Sequence, residues 1–394
     1  VKNWFRVSHL AAGFIAVLVG YTSSVAIIFQ AANAAGATAA QLDSWMWALG
    51  IGMGASCIGL SLRYRTPVLT AWSTPGAALL VTSLSGLSMN QAIGAFLFSS
   101  LLITICGVTG WFQKLMQLMP RHIAAAMLAG ILMRFGMDLF IAMQTQWLMV
   151  GLMFAAFLLG RIWMPRYTVP LALVVGIASA GMLGLLQLDS LNWTPARPTL
   201  MLPDFSLSAL IGVGIPLFIV TMTSQNVPGL AVLRANGYQT PASPIITATG
   251  VTGLVLGPFG GFSFNLAAIT AAICMSRDAD PDPDRRYLAS VWAGVFYLMT
   301  GIFGATVVGL FAAFPQELIA AIAGLALLGT IGSSLAGALA DEGGRDAALV
   351  TFICTASGMS FLGIGSAFWG LVLGLCVHAA LGSWGQALQS RVRR

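Results

Sequence analysis

The chain has 394 residues, of which 58% are hydrophobic and only 8% charged, and its net charge is +6. Soluble domains carry about 25% charged residues, so this composition cannot coat a water-facing surface. It excludes a soluble enzyme, a nucleic-acid-binding protein and a disordered chain, and the excess of Lys and Arg reads as a marker of the cytoplasmic membrane face.

A spanning helix needs about 20 mostly apolar residues. In chain order fourteen spans are predicted, at 9–33, 43–62, 67–83, 91–110, 121–140, 146–163, 168–187, 207–234, 243–256, 258–275, 287–312, 316–339, 346–361 and 365–388. The first run follows Lys2 and Arg6 and continues past residue 30 without a cleavage site, so it reads as a span rather than a removable signal. With the N-terminus in the cytoplasm, alternation puts every Lys and Arg on that side except Arg134, inside span 5, and Arg197, in an outer loop. Both termini are then cytoplasmic, and the basic tail of Arg391, Arg393 and Arg394 faces anionic headgroups.

Five cysteines lie singly in apolar runs, without Cys-x-x-Cys or Cys/His spacing. They read as small packing residues, with no disulfide framework and no metal site. The segment 277–286 is the most charged. Its Asp spacing superficially resembles a calcium loop, but it lacks the turn Gly and the final Glu, and a solvated cytoplasmic loop is expected.

Three pairs of local patterns recur in the same order. Thr22-Ser23 answers to Thr223-Ser224, the stretch 67–76 to 258–267, and 120–130 to 315–324. They fall at spans 1 and 8, 3 and 10, and 5 and 12, implying two repeats of seven spans. Because seven is odd, the second repeat is inverted, the arrangement of secondary transporters with a midplane site at the repeat interface.

Spans 3 and 10 are interrupted. Span 3 opens with β-prone residues, then Ser73-Thr74 as cap residues and Pro75 at a helix start. Span 10 opens Gly257-Pro-Phe-Gly-Gly-Phe-Ser-Phe-Asn265, with Asn265 expected to cap the helix after it. Irregular backbone at membrane depth is tolerated only where protein buries it or it lines a cavity. Both spans are therefore expected to be half extended and half helical, their helix N-termini offering N–H groups to an anion near the centre. The alternative is that Pro and Gly simply kink ordinary helices.

Spans 1 and 8 are unusually polar. Thr22 and Thr221 read as hydroxyls bonded to their own backbone or to a neighbouring helix, whereas Gln225 and Asn226 are two adjacent amides that need partners at depth. Ionisable residues within spans are His9, His122, Arg134, Asp138, Glu317 and His378. Arg134 and Asp138 stand four apart and form either a structural ion pair or a gate or proton-coupling site. His122 and Glu317 are expected near the interface. No nucleotide-binding loop or catalytic triad is present, which disfavours an ATP-driven pump.

At Val19-Gly-Tyr-Thr-Ser-Ser-Val-Ala-Ile-Ile-Phe-Gln30, Thr74-Pro-Gly76 and Gly257–Asn265, the sequence resembles the BenE-type benzoate:proton symporter family, over essentially the whole chain. That family is similar in fold to nucleobase–ascorbate transporters and sulfate/anion exchangers. The resemblance implies an all-α polytopic protein of fourteen segments in a 7+7 inverted repeat, with short strands in spans 3 and 10. It also implies a core domain formed by 1–120 and 207–314 and a gate domain formed by 121–206 and 315–394. Nucleobase:proton symporters carry acidic residues on spans 8 and 10; the nearest positions here are Gln225 and Asn265, both neutral, which suits an anionic substrate.

The expectation is therefore a secondary transporter of the bacterial inner membrane that imports benzoate or a similar aromatic carboxylate by proton symport. Its partners would be the anion, protons and lipid, without nucleic acid or cofactor, and a homodimer is allowed. The carboxylate is expected between Ser73-Thr74 and Phe264-Asn265, with hydrogen bonds from Ser24, Gln225 and Asn226. The ring would pack on Tyr21, Trp72, Phe262 and Phe264. Arg134 and Asp138 are the candidates for coupling or gating. The alternatives are a nucleobase or other small-anion permease of the same fold, and a passive anion channel.

Overall fold

The computed structural model describes residues 6–112, 120–164, 168–187, 195–277, 279–361 and 364–381. Lys2, Lys114, Arg166 and the basic tail lie outside the described residues. The chain is mostly helical. Its first half comprises α1 (Val7–Ala34), α2 (Ala39–Tyr64), β1 (Thr70–Trp72), α3 (Thr74–Ser83), α4 (Met89–Val108), α5 (Arg121–Thr145), α6 (Trp147–Trp163) and α7 (Thr168–Met182). The second half begins with α8 (Leu207–Arg234), α9 (Ala242–Leu256), β2 (Phe264–Leu266) and α10 (Ile269–Cys274). It continues through α11 (Tyr287–Ile302), α12 (Gly304–Ala312), α13 (Gln316–Leu339), α14 (Arg345–Ala356), the two-residue strands β3 (Ser360–Phe361) and β4 (Ile364–Gly365), and α15 (Ser366–Ala379).

Among the described residues, six helices are long and apolar enough to cross a membrane: α2, α4, α5, α8, α9 (extended to Phe259) and α13. The helix α1 is bent by 43° between Thr22 and Ser24. The apolar α6, α7 and α15 are shorter, and the stretch 287–312 is broken in two at Phe303. Large side chains such as Trp147, Ile162, Trp163 and Phe140 point outward, as lipid-facing residues do.

Local sequence explains the helix starts. Thr38 with Gln41 and Ser88 with Gln91 each close a capping box, which satisfies first-turn N–H groups reciprocally. Two π-helical turns, Leu210–Gly214 and Met222–Asn226, interrupt α8. Such turns often mark functional positions, and the second carries Ser224, Gln225 and Asn226.

Helix pairs pack through small residues. A Cβ on Gly54 would lie 2.7 Å from Gly294 O, and Gly50 meets the Gly301 backbone, so α2 and α11 approach at backbone distance. Close packing of this kind drives association where lipid removes the hydrophobic force between helices. In the same way α4 packs on α9, α1 on α3 and α11, α5 on α13 and α14, α6 on α7, and α14 on α15.

The element that positions the site is a two-stranded antiparallel sheet. β1 and β2 pair with Thr70 opposite Leu266, Ala71 opposite Asn265 and Trp72 opposite Phe264. Gly260, at φ +95, turns the chain beneath Trp45 into β2, and a side chain there would collide with the indole. After β1 the chain enters α3 through Ser73, whose hydroxyl accepts from Gly76 N at 3.0 Å, with Pro75 in the first turn.

Two expectations are corrected here. Asn265 does not cap α10: it lies within β2, and the helix starts later, at Ile269, without a side-chain cap. The loop 277–286 is not fully solvated, because Asp280 and Arg286 are buried.

Candidate functional site

A cavity of about 670 Å³ opens where the paired strands give way to α3 and α10. This is within the range of small-molecule sites, about 300–1,000 Å³. One wall is built from Val19, Gly20 and Ser24 of α1, Trp72, Thr74 and Pro75 at the β1–α3 junction, and Ser224, Gln225 and Pro228 of α8. Ala267, Ala268 and Thr270 complete it at the β2–α10 junction, with the Tyr297 phenol behind. The rest of the lining comes from Leu128 of α5, Thr168–Pro170 of α7, and Ala326, Leu327, Thr330 and Ser333 of α13. Among the described residues no Asp, Glu, Lys, Arg or His lines the cavity.

The expected site residues divide sharply. Ser24, Trp72, Thr74 and Gln225 line the cavity together. Trp72 is held in place: its indole N–H donates to Ser24 Oγ at 2.8 Å, and Ser24 Oγ in turn donates to Gly20 O at 2.8 Å. Tyr21 stands behind Trp72, edge to face at 4.7 Å between ring centroids, and supports the indole without reaching the cavity. Gln225 is half-buried and its side chain makes no hydrogen bond among the described residues, leaving both ends of its amide free for a ligand.

Asn226, Asn265, Ser73, Phe262 and Phe264 do not line the cavity. Asn226 Oδ1 accepts from Leu266 N at 2.9 Å, and its Nδ2 contacts Met222 Sδ, so it clamps β2 onto α8. The Asn265 amide is fully buried; oriented to donate, its nitrogen reaches Ala71 O at 2.7 Å and Trp72 O at 3.2 Å, tying β2 to β1. Ser73 spends its hydroxyl on the α3 cap. Phe262 packs against Trp45 and Phe96, and Phe264 fills the space over Gly52. These five therefore shape the strand pair and the half-helix starts that face the cavity.

Arg134 and Asp138 form only a long contact, 4.0 Å, with both side chains substantially exposed, and neither lines the cavity. His122 is buried against Asp341 and His378, and Glu317 accepts from Thr145, all apart from the cavity.

Sequence reasoning did not single out Thr270, Tyr297, Thr330 or Ser333, and it marked Ser224 only as part of the repeat and of the polar stretch of span 8. The π-turn rotates Ser224 and Gln225 into the cavity, and such a turn leaves no mark in residue type. Thr330 and Ser333 stand three apart on α13, a helical spacing that a search of the opposite repeat half could have used.

Chemically, the cavity offers neutral donors to a ligand: the Gln225 amide and the Thr74 and Thr270 hydroxyls. They sit beside the start of α3, where helix N–H groups carry partial positive charge. Trp72, Pro75, Leu128 and Leu327 supply apolar faces. This combination suits a small organic anion.

Comparison with known proteins follows the same line. A family model described as BenE, benzoate membrane transport protein, matches residues 3–380. The inner membrane protein YdcO of Escherichia coli K12 is 53% identical over 372 residues, covering 94% of this chain and 95% of its own length. A benzoate membrane transport protein of Acinetobacter baylyi is 42% identical over 381 residues, 97% of each chain. Among solved structures, SLC26A9 superposes with a TM-score of 0.66 at 12% identity, covering 97% of this chain and 67% of the other. The transmembrane domain of the cyanobacterial bicarbonate transporter BicA gives 0.62 at 16%, covering 95% and 96%. At such identities the likeness is one of fold alone.

Proposed function

The chain belongs to the BenE family of benzoate membrane transport proteins, as a multi-pass inner membrane protein, and from that premise we propose that it imports benzoate or a similar aromatic carboxylate together with a proton. The observation that carries this reading is the cavity at the strand-pair junction: large enough for a small aromatic acid, lined by no acidic side chain among the described residues, and bordered by a helix start. A carboxylate in a low-dielectric site would be repelled by fixed anions and favoured by N–H and O–H donors.

In this reading the carboxylate is held by Gln225, Thr74 and Thr270, and the ring lies on Trp72 with Pro75 and Leu327 around it. The architecture is fourteen segments in a 7+7 inverted repeat. Segments from 1–120 and 207–314 form a core that carries the strand pair, and 121–206 and 315–394 form a gate whose α5, α7 and α13 complete the lining of the cavity. Relative movement of the two would expose the cavity to alternate sides of the membrane. In support, the cavity walls come from these two groups of elements.

The test is uptake of radiolabelled benzoate into proteoliposomes with an inward proton gradient, against protein-free liposomes that report leakage of neutral benzoic acid. Saturable uptake abolished by a protonophore is expected. Large ohmic currents in place of saturable uptake would favour a passive channel, and saturable uptake of nucleobases but not benzoate would overturn the substrate class.

A further inference from the structure

Among the described residues no carboxylate or imidazole that could carry a proton lines the cavity, yet a second buried constellation sits at the far ends of two elements that line it. His9, in the first turn of α1, is completely buried, and its Nε2 lies 2.7 Å from Asp280 Oδ2. Asp280, 1% exposed, lies in the loop that follows α10. Arg6 Nη1 reaches the same Oδ2 at 3.0 Å, and Asp282 N donates to Oδ1 at 2.9 Å.

These contacts fix the chemistry of the imidazole. A carboxylate that accepts from a guanidinium and a backbone N–H is ionised and can only accept, so His9 Nε2 carries the hydrogen. The neutral ring then presents a bare lone pair at Nδ1, which is buried and has no hydrogen-bond partner. Protonation there makes an imidazolium whose charge is balanced by Asp280 across 2.7 Å.

The surrounding groups are few. Arg6 comes from the same end of α1. The loop brings Asp280, Asp282, Asp284 and Arg285, and Arg286 and Tyr287 stand at the start of α11. Arg286 spends its guanidinium on the carbonyls of Asp280 and Met275. Cys274 ends α10. The helices α3 and α7, which also touch α1, carry no titratable side chain, and α13 carries only Glu317, which is held at Thr145 of α5.

Resting on the proton-symport reading, we infer that His9 is the residue that binds the co-transported proton, on Nδ1, with Asp280 as its fixed counter-ion. One proton taken from water at that face converts the neutral imidazole to imidazolium and offsets the single negative charge of the carboxylate substrate; its release restores the lone pair. The link to the cavity is mechanical. Residues Val19 and Gly20 stand about three turns further along α1, roughly 15–17 Å at 1.5 Å per residue, and Ser24 one turn beyond them. The first turn of α10 lines the cavity just before the chain reaches Asp280. The His9–Asp280 contact therefore ties together the other ends of two cavity-lining elements.

The test compares wild type with H9Q, whose amide still donates to Asp280 but takes no proton. Two assays are run in proteoliposomes: benzoate counterflow without a gradient, and accumulation driven by a proton gradient. H9Q is expected to keep counterflow and lose gradient-driven accumulation entirely, while H122N and H378N keep both. Accumulation by H9Q at the wild-type level overturns the assignment, as does wild-type accumulation that ignores the proton gradient. Absence of wild-type counterflow rejects benzoate and leaves His9 to a substrate-independent measurement, which also serves if H9Q fails to assemble. The wild-type chain has three histidines, and 15N-imidazole spectra with H122N and H378N as assignment controls read Nδ1 directly. An Nδ1 of His9 that gains a proton when the medium is acidified supports the inference; one that stays bare throughout overturns it.

Discussion

The indole N–H of Trp72 donates to the hydroxyl of Ser24 at 2.8 Å, joining the end of β1 to the bend region of α1. The bond fixes the orientation of the ring that faces the cavity, with Tyr21 pressing edge-on from behind. Removing the acceptor leaves a buried donor without a partner, at a cost of about 1–3 kcal/mol. Ser24→Ala should accordingly raise the KM for benzoate by roughly fivefold or more, since 1.4 kcal/mol is about tenfold in affinity, and leave maximal uptake largely intact. Uptake kinetics of purified S24A in proteoliposomes check this.

Gln225 and Asn226 are neighbours with opposite duties, and their substitutions should separate cleanly. Gln225→Ala is expected to weaken substrate binding without changing thermal stability in detergent. Asn226→Ala is expected to lower stability, because Leu266 N loses its buried acceptor. Gln225→Glu should be more severe for an anionic substrate: two like charges about 4 Å apart repel by about 4 kcal/mol at an effective dielectric of 20. Tryptophan-fluorescence binding titrations beside melting curves read both effects. A Q225E variant that binds benzoate as well as wild type would remove the carboxylate from this place.

Asn265 makes a different kind of prediction. Its amide lies between the carbonyls of Ala71 and Trp72. Asn265→Asp sets a carboxylate against two carbonyl oxygens in a fully buried position, so the expected result is loss of folded protein on size-exclusion chromatography rather than a shift in substrate affinity. A well-folded N265D with weakened binding alone would show that the residue acts on the ligand.

The carboxyl of Asp280 gives a pH dependence. Burial opposes its ionisation, but the Asp282 N–H, the His9 hydrogen bond and the Arg6 and His9 charges outweigh that and hold it below the usual carboxylate range. A depressed value means that the stabilisation is complete above the unfolded carboxylate pKa, about 3.9, and is lost as pH falls through the folded value. The carboxyl's own contribution to the stability difference between wild type and Asp280→Asn should therefore be constant above about pH 5 and shrink below about pH 4. Thermal unfolding in detergent across that range checks the sign.

Much of the site was legible because local grammar wrote it. Ser73, Thr74 and Pro75 spell a helix start inside an apolar run, and the structure starts α3 there. The glycines after residue 256 announced irregular backbone, and Gly260 supplies the turn that needs it. What stayed hidden was non-local. Nothing in residue type says that Asn265 faces Ala71 across a strand pair, and from sequence alone it reads as a cap. The two amides of α8 are adjacent in sequence, but a helix points neighbours in different directions, and a π-turn changes which one meets the cavity. Phe262 and Phe264 looked like ring-packing residues because aromatic character is shared by binding pockets and cores. The pairing of His9 with Asp280 spans most of the chain, and the charge pattern around residue 280 suggested only solvent.

The strand pair also bears on how the protein is made. Thr70 and Leu266 meet across roughly two hundred residues of intervening chain, so the N-terminal strand enters the bilayer long before its partner has been synthesised. Until then its backbone N–H and C=O groups have no mate in hydrocarbon, where each orphan costs several kcal/mol. The nascent chain must keep residues 66–73 shielded, at the translocon or against α2, where Ser56, Cys57 and Ser61 already hold Thr70 and Val68. The cavity is thus completed late, and any lesion that delays α8–α10 exposes the first half of the protein to quality control rather than merely slowing transport.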